Sequence, residues 1–328
     1  MSSPNTNKTV LVTGATGLLG RQVAKAFAFH DWTVKGTGFS RADGKSILKV
    51  DLQDKKQVEE VLDEVKPSVV VHCAANRSPE SVDSDPAGAR ALNIEASRSL
   101  AQACAARGIF LIYISTDYVF PGRPGEAPYE ADAEPAPTNL YGQTKLDGEK
   151  AVLGVFDAEG NEGKKWLGVV LRVPVLYGEV DKEKGNKESA VNVLMDTVMK
   201  AARKEVDKVK MDHWAIRYPT NTEDVARVCY DITIRYLNES DKASLPRILQ
   251  FSSEDRYTKY EICQVFAEIM GAPMDRIEPN TEGNDPNATV QRPYDCHLST
   301  LVLQDLGIDV STQDFVGWWR RECRAFRH

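Results

Sequence analysis

Through the first half of the chain, short runs of β-branched and apolar residues alternate with longer stretches of helical period. Residues 9–13, 33–37, 45–50, 68–72, 109–115 and 169–173 read as strands, several of them apolar without interruption, as strands buried on both faces are. Residues 18–29, 57–65 and 85–106, and a segment beginning at Lys145 and running to about residue 153, read as helices. Pro67 stops one of these helices, and Pro86 falls in the first turn of another, where a missing N–H costs nothing. The pattern predicts an α/β fold: a Rossmann-type doubly wound parallel sheet with a smaller C-terminal substrate or partner domain. The Rossmann unit is expected over 8–176, with segments near 220–230 and 247–252 returning to it. Residues 177–312 are expected to form mostly the smaller unit, and 313–328 a tail. The polar stretches 157–165, 179–187 and 279–293 read as surface loops.

Composition narrows the function. The 328 residues carry a net charge of −7, which argues against nucleic acid or a membrane surface as the main partner. Six scattered cysteines with no C-x-x-C pair suit a reducing compartment. Residues 1–8 are polar and do not read as a signal peptide, and no apolar run approaches bilayer length, so a cytoplasmic location is expected. His72 and Cys73 are adjacent, so strand alternation sends them to opposite faces, and no metal site is expected.

The strongest chemical signal is Gly14-Ala15-Thr16-Gly17-Leu18-Leu19-Gly20, placed between the first strand and the first helix. Glycines at this spacing let the backbone approach a dinucleotide pyrophosphate at a positive helix N-terminus. At the end of the second strand, an NAD site wants a carboxylate for the ribose hydroxyls. Phe39-Ser40-Arg41 offers a hydroxyl and a guanidinium instead, which points to the 2′-phosphate of NADP. Further along, Tyr141 and Lys145 lie four apart on one helix face, and Thr116 ends a strand at the carboxyl edge of the sheet. In a reductase, Tyr141 would protonate a carbonyl as hydride arrives, helped by a hydrogen bond from Thr116. Lys145 would hold the ribose and lower the phenol's pKa from about 10 toward neutral. The same residues would contact the nicotinamide ribose in a protein that only binds the cofactor.

Segments 10–20, 113–122 and 139–150 resemble the dTDP-4-dehydrorhamnose reductase branch of the extended short-chain dehydrogenases. His72-Cys73-Ala74-Ala75-Asn76-Arg77-Ser78-Pro79, Glu188-Ser189-Ala190-Val191, Met211-Asp212-His213-Trp214, Arg217-Tyr218-Pro219-Thr220 and Gln291-Arg292-Pro293 are similar to the regulatory beta subunits of methionine adenosyltransferase. The likeness runs from about Lys8 to Gly307. It implies NADP contacts at Gly14, Thr16, Gly17, Leu18, Leu19 and Gly20, and around the adenosine at Phe39, Ser40, Arg41, Asp51 and Leu52. Further implied contacts are Cys73, Ala74, Arg77, Tyr141, Lys145 and Leu176. Ser40 stands where vertebrate members have a second arginine. The likeness also implies a partner, the methionine adenosyltransferase catalytic subunit, reached through the C-terminal tail. There Trp319, Arg324, Phe326 and His328 are the candidate contacts, Trp and Arg being enriched at interface hot spots. A C-terminal helix whose tryptophans pack on their own domain is the other reading of that segment. Three functions stay open: a regulatory subunit with vestigial or latent Thr116, Tyr141 and Lys145, an NADPH-dependent reductase of a nucleotide-linked 4-keto sugar, and a redox-sensing NADP module.

Overall fold

The computed structural model describes residues 7–325 except 162, 286, 288 and 289. In chain order the strands are β1 (Thr9–Thr13), β2 (Thr33–Gly38), β3 (Ile47–Lys49), β4 (Val69–His72), β5 (Phe110–Thr116) and β6 (Gly168–Val173). They continue with β7 (Leu176–Tyr177), β8 (Val209–Asp212), β9 (Thr220–Asn221), β10 (Ile248–Gln250) and β11 (Ile277–Asn280). Seven of them form one sheet in the order β10-β6-β5-β4-β1-β2-β3, and every pairing in it is parallel. The strand order reverses beside β1, so the carboxyl ends open a crevice there, where doubly wound sheets take their ligands.

The helices follow from local chemistry. Helix α1 (Leu18–Phe29) starts at Gly17 with no side-chain cap, which leaves its first N–H groups facing the crevice. Helix α2 (Lys55–Val65) begins two residues before its expected start because Asp54 caps Lys56 and Gln57. The stretch expected as one helix over 85–106 is α4 (Pro86–Arg90), a π-helical turn (Ala91–Ala96) and α5 (Ser97–Arg107), with a short α3 (Pro79–Ser84) before it. Helix α6 (Leu140–Asp157) starts five residues before Lys145 because Asn139 caps Gly142. That earlier start puts Tyr141 and Lys145 on the same helix. The rest are α7 (Val193–Ala202), α8 (Thr222–Asn238), α9 (Lys259–Met270), α10 (Leu301–Asp305) and α11 (Phe315–Glu322).

Two helix groups cover the sheet, α1 against α8 and α5 against both α2 and α6. Between them, Val10–Val12, Val69–Val71, Phe110–Ile112 and Val169–Leu171 are fully buried, the physical reason these strands lack polar alternation. One charged pair is sealed in this core. Arg172 on β6 makes a two-pronged contact with Glu149 on α6, at 2.8 and 3.0 Å, and Ser115 donates to the same carboxylate at 2.5 Å. Because both side chains are buried and fully hydrogen-bonded, the pair ties α6 to the sheet edge beside the cleft.

A second apolar cluster joins Tyr177, Leu194, Val198 and Phe266 to Phe315, Trp318 and Trp319 of α11. Trp319 is 1% exposed and lies 4.7 Å from Phe266 and 5.8 Å from Tyr177, centroid to centroid. The expectation that Trp319 anchors a partner is therefore corrected: its ring is used in the chain's own core. Arg324 is exposed, whereas Phe326 and His328 lie outside the described residues. Among the described residues no helix is long and apolar enough to cross a membrane.

Candidate functional site

A cleft of about 1230 Å³ runs along the carboxyl ends of β1, β2, β4, β5 and β6 toward α9. Its floor is the turn after β1. Gly14 has φ +64°, and a Cβ there would come within 2.9 Å of the Ala74 backbone. A Cβ on Gly20 would lie 2.3 Å from the Gly14 carbonyl oxygen. Both positions therefore require glycine if helix and strand are to pack this closely. Thr16, Gly17, Leu18 and Leu19 line the cleft from this turn, and Cys73, Ala74 and Arg77 line it from the loop after β4.

At one end Phe39, Ser40 and Arg41 face Asp51 and Leu52, with no carboxylate at the tip of β2. Arg41 is engaged across the cleft mouth, donating to Glu188 at 3.3 Å, with Asp181 4.0 Å away. His72 is not a ligand. It bridges the Thr13 and Ser97 hydroxyls at 2.6 and 3.0 Å, and burial pushes its pKa down to about 3, so the ring is a neutral spacer. Burial raises the Cys73 thiol to about 12, which leaves it protonated and poorly nucleophilic.

Thr116, Tyr141 and Lys145 meet at the centre of the cleft, with Leu176 lining the wall beyond them. The electrostatics differ from the expected activation. Burial pushes Tyr141 up to about 12, with the Thr116 hydroxyl pulling the other way, and pushes Lys145 down to about 7. The Lys145 amine donates to the Ile114 carbonyl at 2.7 Å and lies 4.0 Å over the Tyr113 ring. Lys145 therefore does not lower the Tyr141 phenol toward neutral here, because desolvation dominates both groups. Asp117, donated to by Thr116 at 3.0 Å, is raised to about 6 by burial, against the pull of Arg217.

Sequence reasoning missed several residues. Asn93, in the π-helical turn, accepts from the Asn76 N–H at 2.8 Å and donates to the Thr144 hydroxyl at 3.1 Å, joining the loop after β4 to α6. A π turn re-aims one side chain, but an isolated asparagine in a helical pattern carries no such signal. Beyond Tyr141, Arg77, Arg217, Lys259 and Arg292 make the far compartment cationic. Buried Arg217 donates to the Ile216 and Pro293 carbonyls, and its Nη2 has no hydrogen-bond partner among the described residues. Such a compartment can hold an anionic group next to Tyr141.

The parallel sheet, the glycine turn at its switch point and the Thr116, Tyr141 and Lys145 cluster define a protein of the extended short-chain dehydrogenase/reductase class. The family described as RmlD substrate binding domain matches residues 8–317. The chain is 43% identical over 312 residues to methionine adenosyltransferase 2 subunit beta of Pongo abelii, covering 95% of this chain and 86% of that one. It is 40% identical over 319 residues to the protein of the same name from Danio rerio, covering 97% and 91%. Among solved structures, dTDP-4-dehydrorhamnose reductase from Bacillus anthracis in complex with NADP superimposes with a TM-score of 0.74. That match covers 95% of this chain and 97% of the other at 23% identity. The chain belongs to the methionine adenosyltransferase 2 subunit beta family, within the RmlD-type branch of that class.

Proposed function

We propose that the chain is an NADP-binding regulatory subunit of methionine adenosyltransferase that binds the catalytic subunit and modulates S-adenosylmethionine synthesis. The observation that carries this reading is identity of 40–43% with beta subunits over 86–91% of their length. Cofactor binding is supported by the glycine turn, the open N-terminus of α1 and the absence of a carboxylate after β2. Partner contact is assigned to the C-terminal residues after α11, with exposed Arg324 and, outside the described residues, Phe326 and His328 as the candidates. The test is co-elution with the catalytic subunit on size exclusion, for the full chain and for a chain ending at Ala325. The full chain is expected to co-elute, and failure to do so would remove the regulatory reading.

A second reading, an NADPH-dependent reductase of a nucleotide-linked 4-keto sugar, is favoured by the cationic compartment beyond Tyr141. Arg217, Lys259 and Arg292 suit the phosphates of such a substrate. NADPH oxidation with a dTDP-4-keto sugar, lost in Tyr141→Phe, would establish it.

A further inference from the structure

We infer that Glu188 is a positioning residue that fixes Arg41 for a cofactor phosphate, and through Arg41 sets the preference for a phosphorylated over an unphosphorylated dinucleotide. This rests on the reading that the cleft takes NADP. The sequence leaves the adenosine end with one arginine, because Ser40 brings no charge. A single flexible guanidinium loses considerable rotamer freedom on binding unless something already holds it.

Glu188 is built to hold it. The carboxylate is buried, and it accepts from Arg21 at 2.7 and 3.1 Å and from the Asp181 N–H at 2.9 Å. Arg21 in turn donates at 2.8 Å to the carbonyl of Thr16, inside the glycine turn. A continuous chain of contacts thus runs from that turn through Arg21 and Glu188 to Arg41. The segment between β7 and α7 that carries Glu188 is tied a second time to α1, where Glu179 accepts from Lys25 and Gln22. Glu188 is therefore a fixed acceptor, and it is the side-chain group that Arg41 donates to.

A carboxylate beside a phosphate site could instead repel the ligand, and the charge balance decides between the two roles. Arg21 meets Glu188 in two-pronged fashion and compensates its charge. Arg41 spends one of its five N–H donors on Glu188, and the others remain to face a ligand. Arg21, Arg41 and Glu188 together carry one net positive charge. Asp181, at 4.0 Å from Arg41 and partly exposed, offsets that charge, while Lys184 and Lys187 on the same wall of the cleft add positive charge toward a ligand.

The test is titration of NADP and NAD into wild type, E188Q, R41A and the double variant E188Q/R41A. Wild type is expected to prefer NADP, and R41A to lose that preference. E188Q is expected to weaken NADP by on the order of tenfold, with NAD changed by less than about twofold. In the R41A background, E188Q is expected to have no further effect on NADP, the signature of action through Arg41. E188D, which keeps the charge but falls short of Arg41, is expected to show the same selective loss and serves if E188Q does not fold. The inference is overturned if E188Q tightens NADP, weakens both cofactors alike, or costs as much in R41A as in wild type. Wild type that binds neither cofactor would instead remove the NADP reading itself, before Glu188 enters.

Discussion

Trp319→Ala tests whether α11 is core or anchor. The substitution removes the largest of the fully buried side chains, which contacts Tyr177, Phe266, Phe315 and Trp318. Truncating a buried tryptophan costs about 3–5 kcal/mol through lost transfer energy and the cavity left behind. One feature of the site offsets part of this. The indole Nε1 is buried without a hydrogen-bond partner among the described residues, so its removal relieves a desolvation penalty of about 1 kcal/mol. The expected net loss is about 3 kcal/mol, read as a lower urea midpoint by far-UV circular dichroism. Trp319→Phe should lose less, since it keeps most of the ring packing and also removes the unpaired donor. A loss below about 1 kcal/mol in Trp319→Ala, together with selective loss of the catalytic subunit, would refute the core assignment and restore the anchor. The same geometry governs truncation. Deleting the chain from Phe315 strips three buried aromatics from the second cluster, so lost partner binding in that variant would report unfolding. Ending the chain at Ala325 leaves the cluster whole, and its unfolding midpoint should match wild type.

Further outcomes follow from the buried charges. Glu149→Ala strands Arg172 in the core and should destabilise the chain by about 3–5 kcal/mol in urea unfolding, whereas replacing both partners with methionine should recover most of that loss. Asp117 has its folded pKa raised to about 6 from an ordinary value near 3.8, so between these values the native state holds the extra proton and stability falls as pH rises. Asp117→Asn should flatten that slope from pH 4 to 6, measured as the difference in urea midpoint from wild type. Arg41→Ala should weaken NADP by roughly 10- to 100-fold in titration calorimetry and leave NAD nearly unchanged, as expected for losing a charge-assisted contact to one phosphate.

Local chemistry made much of this molecule legible in its residues. Continuous apolar strands foretold a parallel sheet, because only burial on both faces permits them. The glycine spacing foretold the turn, because a positive φ at Gly14 and close backbone approach at Gly14 and Gly20 exclude a side chain there. The early start of α6 was written in Asn139, a cap not credited in advance. What the residues did not disclose were properties of assembly. Whether Trp319 faces solvent or core depends on α9 and β7, which are distant in the chain and meet α11 only after folding. The pKa values of Tyr141 and Lys145 depend on how completely the cleft wall shuts out water, a quantity no motif encodes. Glu188 reaches Arg21 and Arg41 across separations of 167 and 147 residues. A carboxylate's partner at such distances is set by the path of the backbone, so its role at the cofactor end exists only in three dimensions.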